Sequence, residues 1–200
     1  RQGRQGTTGG TGGTGAQGAQ GRQGVQGYRG ALMWTPVFTN GTAYEGNSNS
    51  FAKTSGSSSW NGEVRSLEGY TGGAFCTARA ENTSNHIMFG LSDNPTANTS
   101  YTSIDRAWYV DYGTLRIYES GSSIGSYGTY TSSTVLSITY DGHQVKYWKD
   151  GVVQRTVTTT YSVPLFFDSS FYYANSNGLT NVAFGPMGAK GAQGAQGRQG

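Results

Sequence analysis

Catalysis by side chains needs particular partners at particular spacings, and this 200-residue chain spaces none of its reactive groups that way. The five glutamates Glu45, Glu63, Glu68, Glu81 and Glu119 are scattered, with no two at i,i+2 or i,i+4, so no glutamate pair stands side by side on a strand or helix face. His86 and His143 have no Cys or His neighbour at ligand spacing, which argues against a zinc site. Cys76, the single cysteine, cannot form an intrachain disulfide and reads in AFCTARA as a small buried hydrophobe. Asp105 and Asp111 flank a strand and read as turn and surface residues. The 92–100 loop, SDNPTANTS, offers Asp93, Asn94 and Asn98 as ligands for calcium or a sugar, although the same composition describes an ordinary ordered turn. Asn40, Asn82 and Asn98 each open an N-x-[ST] triplet, the acceptor pattern for N-glycosylation. The expectation is a protein that is not an enzyme and has no cofactor, with calcium left open.

Two kinds of polymer carry these residues. Glycine stands at Gly3, Gly6, Gly9, Gly12, Gly15, Gly18, Gly21, Gly24, Gly27 and Gly30 without a miss. The phase resumes at Gly185, Gly188, Gly191, Gly194, Gly197 and Gly200. Three polyproline-like chains wind together only where every third residue lacks a side chain, so this period predicts collagen-like triple helix over 1–30 and 185–200. Pro186 is the one proline of these arms, so their stability has to come from length, interchain contacts, or modification of Thr7, Thr8, Thr11 and Thr14, which are candidates for O-glycosylation. The nine residues AQGAQGRQG occur at 16–24 and again at 192–200, and the chain begins and ends inside the repeat, which predicts a tract continuing beyond both ends. All charges in the arms are basic, while the middle is mildly acidic. These charges are diluted among Gln, Ala and Thr, unlike a nucleic-acid patch. No apolar run approaches the roughly 20 residues of a membrane span.

Residues 31–184 alternate short β-branched and aromatic runs with Gly, Asn, Asp and Ser. Strands are predicted at 32–38, 73–80, 86–92, 103–111, 114–119, 135–140, 144–149, 152–158, 165–168 and 181–184. Asp141-Gly142 and Asp150-Gly151 predict two-residue hairpin turns and a three-stranded meander. Many short strands within ~150 residues predict a two-sheet sandwich. Most of the 4 Trp, 14 Tyr and 8 Phe then belong to the space between sheets, and exposed tyrosines remain available to stack on sugars.

The runs HIMFGLS, TSIDRAWYV, TLRIYESG, VLSITYDG, VKYWKDGVV and PLFFDSSFY, ending in NVAFGP, resemble the concanavalin A-like lectin/glucanase superfamily near its SPRY-type modules. The resemblance spans about 60–186 and implies a jelly roll whose first and last strands are neighbours in one sheet. The E-x-D-x-E pattern of its glucan-cleaving members is absent. The expected architecture is all-β: a concanavalin A-like jelly-roll β-sandwich inserted between two collagen triple-helix segments. The expected function is a homotrimeric structural subunit of an extracellular or virion-surface filament, with self-assembly as its partnership. The alternative is an adhesin that presents a trimeric carbohydrate-binding lobe.

Overall fold

A computed structural model describes residues 34–187 except Ser176. The chain forms β1 (Pro36–Thr39), β2 (Thr42–Glu45), β3 (Asn47–Lys53), β4 (Gly62–Ser66) and β5 (Ala74–Ala80). It continues with β6 (His86–Ser92), a 3₁₀ turn at Tyr101–Ser103, β7 (Arg106–Asp111), β8 (Thr114–Glu119) and β9 (Ser122–Thr129). The last five strands are β10 (Leu136–Tyr140), β11 (Gln144–Lys149), β12 (Val152–Thr158), β13 (Phe166–Phe171) and β14 (Leu179–Pro186). They pair into two antiparallel sheets, ordered β1-β4-β13-β6-β7-β8-β9 and β12-β11-β10-β5-β14-β3-β2. The protein is an all-β jelly-roll sandwich.

Alternation builds the sandwich. In β5, Ala74, Cys76, Ala78 and Ala80 are buried while Phe75, Thr77 and Arg79 are partly exposed on the opposite face. In β7, Trp108 and Val110 enter the core between sheets, where the Trp108 indole donates to the Ser137 carbonyl of the opposite sheet at 3.0 Å. Ala107 and Tyr109 point the other way, into a second apolar cluster on the outer face of the first sheet. That sheet is therefore covered on both sides, so its middle strands carry near-continuous apolar residues rather than simple alternation.

Several expectations are corrected. β1 is an edge strand of the first sheet, while β14 lies inside the second between β5 and β3, so the first and last strands are not neighbours in one sheet. The ends meet across the core instead, with the Trp34 and Phe184 rings 6.1 Å apart. Gly185, expected to begin the second triple-helix arm, pairs with Phe75 within β14, because the ladder to β5 runs on to Pro186 opposite Ala74. The other axial glycines, at 3–30 and 188–200, and Thr7, Thr8, Thr11 and Thr14 lie outside the described residues. Asp150-Gly151 is a two-residue turn with positive φ at both positions, 48° and 78°. The first hairpin turns one residue later than expected, at Gly142-His143: Tyr140 pairs with Val145, the Asp141 N–H donates to the Gln144 carbonyl, and the Asp141 carboxylate accepts the backbone N–H of His143 and of Gln144.

Candidate functional site

Antiparallel register sets seven side chains on the outer face of the first sheet. His86 is opposite Asp111 and Met88 opposite Tyr109 between β6 and β7. Tyr109 is in turn opposite Arg116, and Ala107 opposite Tyr118, between β7 and β8. Three segments bring further rings. Trp60 lies in the turn before β4, Tyr101 opens the 3₁₀ turn, and Tyr172 and Tyr173 follow directly from β13.

Trp60 meets its neighbours edge-on rather than stacked. Trp60 lies 5.2 Å from Tyr101, 5.6 Å from Tyr109 and 5.4 Å from Tyr172, at interplanar angles of 68°, 72° and 66°. His86 lies edge-on to Tyr112 at 4.6 Å and 85°, but is tilted by only 31° to Tyr173 and 30° to Tyr109, at 5.5 Å and 5.7 Å. Rings at steep angles to one another make walls, whereas parallel rings would fill the space between them. A recess of about 140 Å³ results, lined by Trp60, His86, Tyr109, Tyr172 and Tyr173.

Its polar edge is one connected set. The Tyr109 hydroxyl is 2.5 Å from His86 Nδ1, and Asp111 Oδ1 is 3.1 Å from the same nitrogen. Arg116 Nε donates to Asp111 Oδ2 at 2.9 Å. Burial pushes the His86 pKa below its usual range, against the pull of the Asp111 carboxylate. Burial, reinforced by Asp111, pushes the Tyr109 phenol up, so it remains a neutral hydroxyl. A neutral Nδ1 takes one role at a time, as acceptor from Tyr109 or donor to Asp111. The site thus offers aromatic faces together with hydroxyl and imidazole edges, the mixture that binds a ring with apolar C–H faces and hydroxyl rims.

The residues singled out by sequence are elsewhere. The 92–100 loop is an ordered turn: Asp105 Oδ2 accepts from Asp93 N, Asn94 Oδ1 from Thr96 Oγ1, and Asn98 Oδ1 from Ser100 N. Its contribution is to carry the chain to Tyr101 and Ile104, which pack in the cluster beneath Trp60. Among the described residues, no three His, Cys, Asp or Glu side chains gather to hold a metal. Asn40 and Asn98 are exposed and Asn82 half-buried; Asn40 Nδ2 donates to Asn61 O at 2.7 Å, which occupies one of its two N–H groups. Asp111, read as a surface residue, belongs to the polar edge. The glutamates serve the scaffold: Glu119 takes Arg106 and Arg155, and Glu68 takes the Thr35 N–H and hydroxyl. Sequence reasoning considered His86 only as a metal ligand and could not choose among fourteen tyrosines, because the recess gathers rings from four separate segments.

The sequence matches no protein-family model and no curated protein. Its fold is nonetheless shared. The SPRY domain of human HERC1 superposes with a TM-score of 0.56 at 15% identity, covering 77% of this chain and all of that domain. The carbohydrate-binding module CBM66 of Bacillus subtilis gives 0.52 at 11% identity, over 78% of this chain and 98% of the module. The exoplasmic/lumenal domain of VIP36, also solved bound to Ca²⁺ and Man3GlcNAc, gives 0.54 at 8% identity in its metal-free form, over 78% and 86% of the two chains. The fold is that of SPRY and lectin-type β-sandwich domains. At these identities the likeness concerns fold alone. No helix among the described residues is long and apolar enough to cross a membrane.

Proposed function

We propose that the sandwich is a carbohydrate-binding lobe whose site is the aromatic recess, and that it binds without catalysing a reaction. The observation that carries this reading is the recess itself: five rings around about 140 Å³, room for one sugar ring, edged by His86 and the tyrosine hydroxyls. The steep angles that Trp60 makes with Tyr109 and Tyr172 favour a terminal residue over a long chain laid on a flat platform. Two of the fold neighbours are described by what they bind, a carbohydrate-binding module and a lumenal domain solved with Man3GlcNAc, which supports the same direction.

The glycine period of the flanks favours a companion reading, in which three chains assemble through collagen-like arms into an extracellular or virion-surface fibre. Three lobes on one shaft would convert a weak single-site affinity into avidity. The filament role then becomes the way the binding lobe is displayed.

A glycan array probed with the intact chain tests the main reading. Reproducible binding that disappears in Trp60→Ala and Tyr173→Ala is the expected result. Absence of any glycan ligand, or binding indifferent to both substitutions, overturns it. Native mass measurement of the same chain tests assembly, with a trimer expected and a monomer at micromolar concentration counting against it.

A further inference from the structure

The last residue of β3, Lys53, is fully buried, with no exposed surface. Its Nζ donates to Ser57 O at 2.6 Å, Ser59 O at 3.0 Å and Asn61 Oδ1 at 2.5 Å, with Tyr172 O a fourth acceptor at 3.3 Å. All four partners are oxygens of uncharged groups. A buried ammonium surrounded by neutral oxygens is costly unless its hydrogen bonds are complete. Here three N–H groups serve four acceptors, so the charge is fully solvated by the chain.

The four acceptors come from only two segments. Ser57, Ser59 and Asn61 belong to the turn that carries Trp60, and Tyr172 belongs to the segment that carries Tyr172 and Tyr173. These segments supply three of the five walls of the recess. Among the described residues, one backbone hydrogen bond outside the strands joins them, from the Ser59 N–H to Tyr172 O at 3.0 Å. Gly62 makes room for the lysine stem: a Cβ there would stand 2.7 Å from Lys53 Cδ and 3.2 Å from Cγ.

We infer that Lys53 is the positioning residue of the recess, an ammonium that reaches from the second sheet and clamps the Trp60 turn to the Tyr172–Tyr173 segment. It touches no ligand and acts through the backbone of the residues that do. This assignment rests on the recess being the binding site for its functional meaning, but its geometry is testable without any ligand.

The test compares the intact chain with Lys53→Met and with Gly62→Ala, which pushes on the stem and keeps the charge. The readouts are the Trp60 indole N–H resonance, assigned by its loss in Trp60→Phe, and the ring resonances of Tyr172 and Tyr173. In both variants the Trp60 and tyrosine signals are expected to move together, while the Trp34, Trp108 and Trp148 indole signals stay in place. Affinity for a glycan found on the array is expected to fall roughly tenfold. A Trp60 signal that moves alone, or no movement in either folded variant, overturns the clamp. Loss of folding in both variants also overturns it, since Lys53 would then hold the sandwich rather than the recess. Because the spectra need no glycan, a chain that binds none would refute the carbohydrate reading while the clamp stood or fell on its own signals.

Discussion

The Tyr109 hydroxyl and the Asp111 carboxylate converge on one nitrogen of His86, at 2.5 Å and 3.1 Å. Protonation of His86 would make Nδ1 a donor only, turning it to Asp111 and releasing the Tyr109 hydroxyl as donor. The groups facing this imidazole are Asp111 with its partner Arg116, and Tyr109, Tyr112, Tyr172 and Tyr173 on the surrounding elements. Burial holds the folded pKa below the unfolded value of about 6.5, so between the two the unfolded chain binds more protons. Stability should therefore fall as pH drops through 6.5 toward the folded pKa, and be unaffected by His86 above it. Urea midpoints measured from pH 7.5 to 5 should decline more steeply for the natural chain than for His86→Gln; parallel curves would refute the assignment.

Asp168 is buried on the outer face of the first sheet, with its carboxylate accepting from Ser103 Oγ at 3.2 Å and from the Ser169 backbone. Burial first, and the neighbouring Glu63 second, push its pKa well above the carboxylate range. An acid whose folded pKa is raised costs most where both states are ionised and nothing where both are protonated. Asp168→Asn should stabilise the protein at pH 7 by on the order of 1 kcal/mol, since the amide can accept from Ser169 and donate to Ser103. The gain should shrink as pH falls through the folded pKa and vanish below about 4. Thermal unfolding across pH reads it out, and a loss of stability at pH 7 would contradict the argument.

Gly90 faces Ala107 in the neighbouring strand, where the chains approach too closely for any side chain. A Cβ built on it would stand 1.7 Å from the Arg106 carbonyl oxygen and 2.8 Å from its carbon, both backbone atoms that cannot step aside. Gly90→Ala should cost about 3 kcal/mol or prevent folding. Gly46, whose Cβ would meet nothing within 4 Å but whose φ is +70°, makes the contrast: Gly46→Ala should cost only about 1 kcal/mol of backbone strain. Equal costs at the two positions would mean that steric approach is not what Gly90 relieves.

How much of this was legible depended on which signal each segment carried. β5, β6, β10 and β11 are apolar-rich and were predicted to within about a residue, and the β10-β11-β12 meander follows from two Asp-Gly pairs. β9, SSIGSYGT, was missed because Ser and Gly fill it and its face is mostly exposed, leaving no alternation to read. β2, β3 and β4 were missed for a related reason. Asn47 to Ser50 is wholly polar, and β4 packs on both faces, so buried Glu63 breaks the apolar pattern between Gly62 and Val64. The recess was illegible because Trp60, His86, Tyr109 and Tyr172 are brought together by strand register and by a buried lysine, neither of which has a local sequence signature.

Glu119 joins the two sheets near their open edges. Its carboxylate accepts from Arg106 at 2.8 Å within the first sheet and from Arg155 at 2.8 Å and 3.3 Å in the second. Arg106 also donates to the Tyr161 hydroxyl at 2.9 Å, and the Tyr161 backbone N–H donates to the Tyr140 hydroxyl, so the set reaches into β10. The Glu119 and Arg106 side chains are only 13% and 14% exposed, so the pair is shielded from solvent in a way that surface ion pairs are not. Glu119→Gln would leave two guanidinium groups facing each other without a counter-charge, and should cost about 3 kcal/mol. Arg155→Ala removes the more exposed partner, 31% accessible, and should cost about 1 kcal/mol. In the double variant the loss should be smaller than the sum, because the repulsion created by the first change is relieved by the second. Chemical denaturation of the four proteins measures that coupling, and strict additivity would show that Glu119 and Arg155 do not interact.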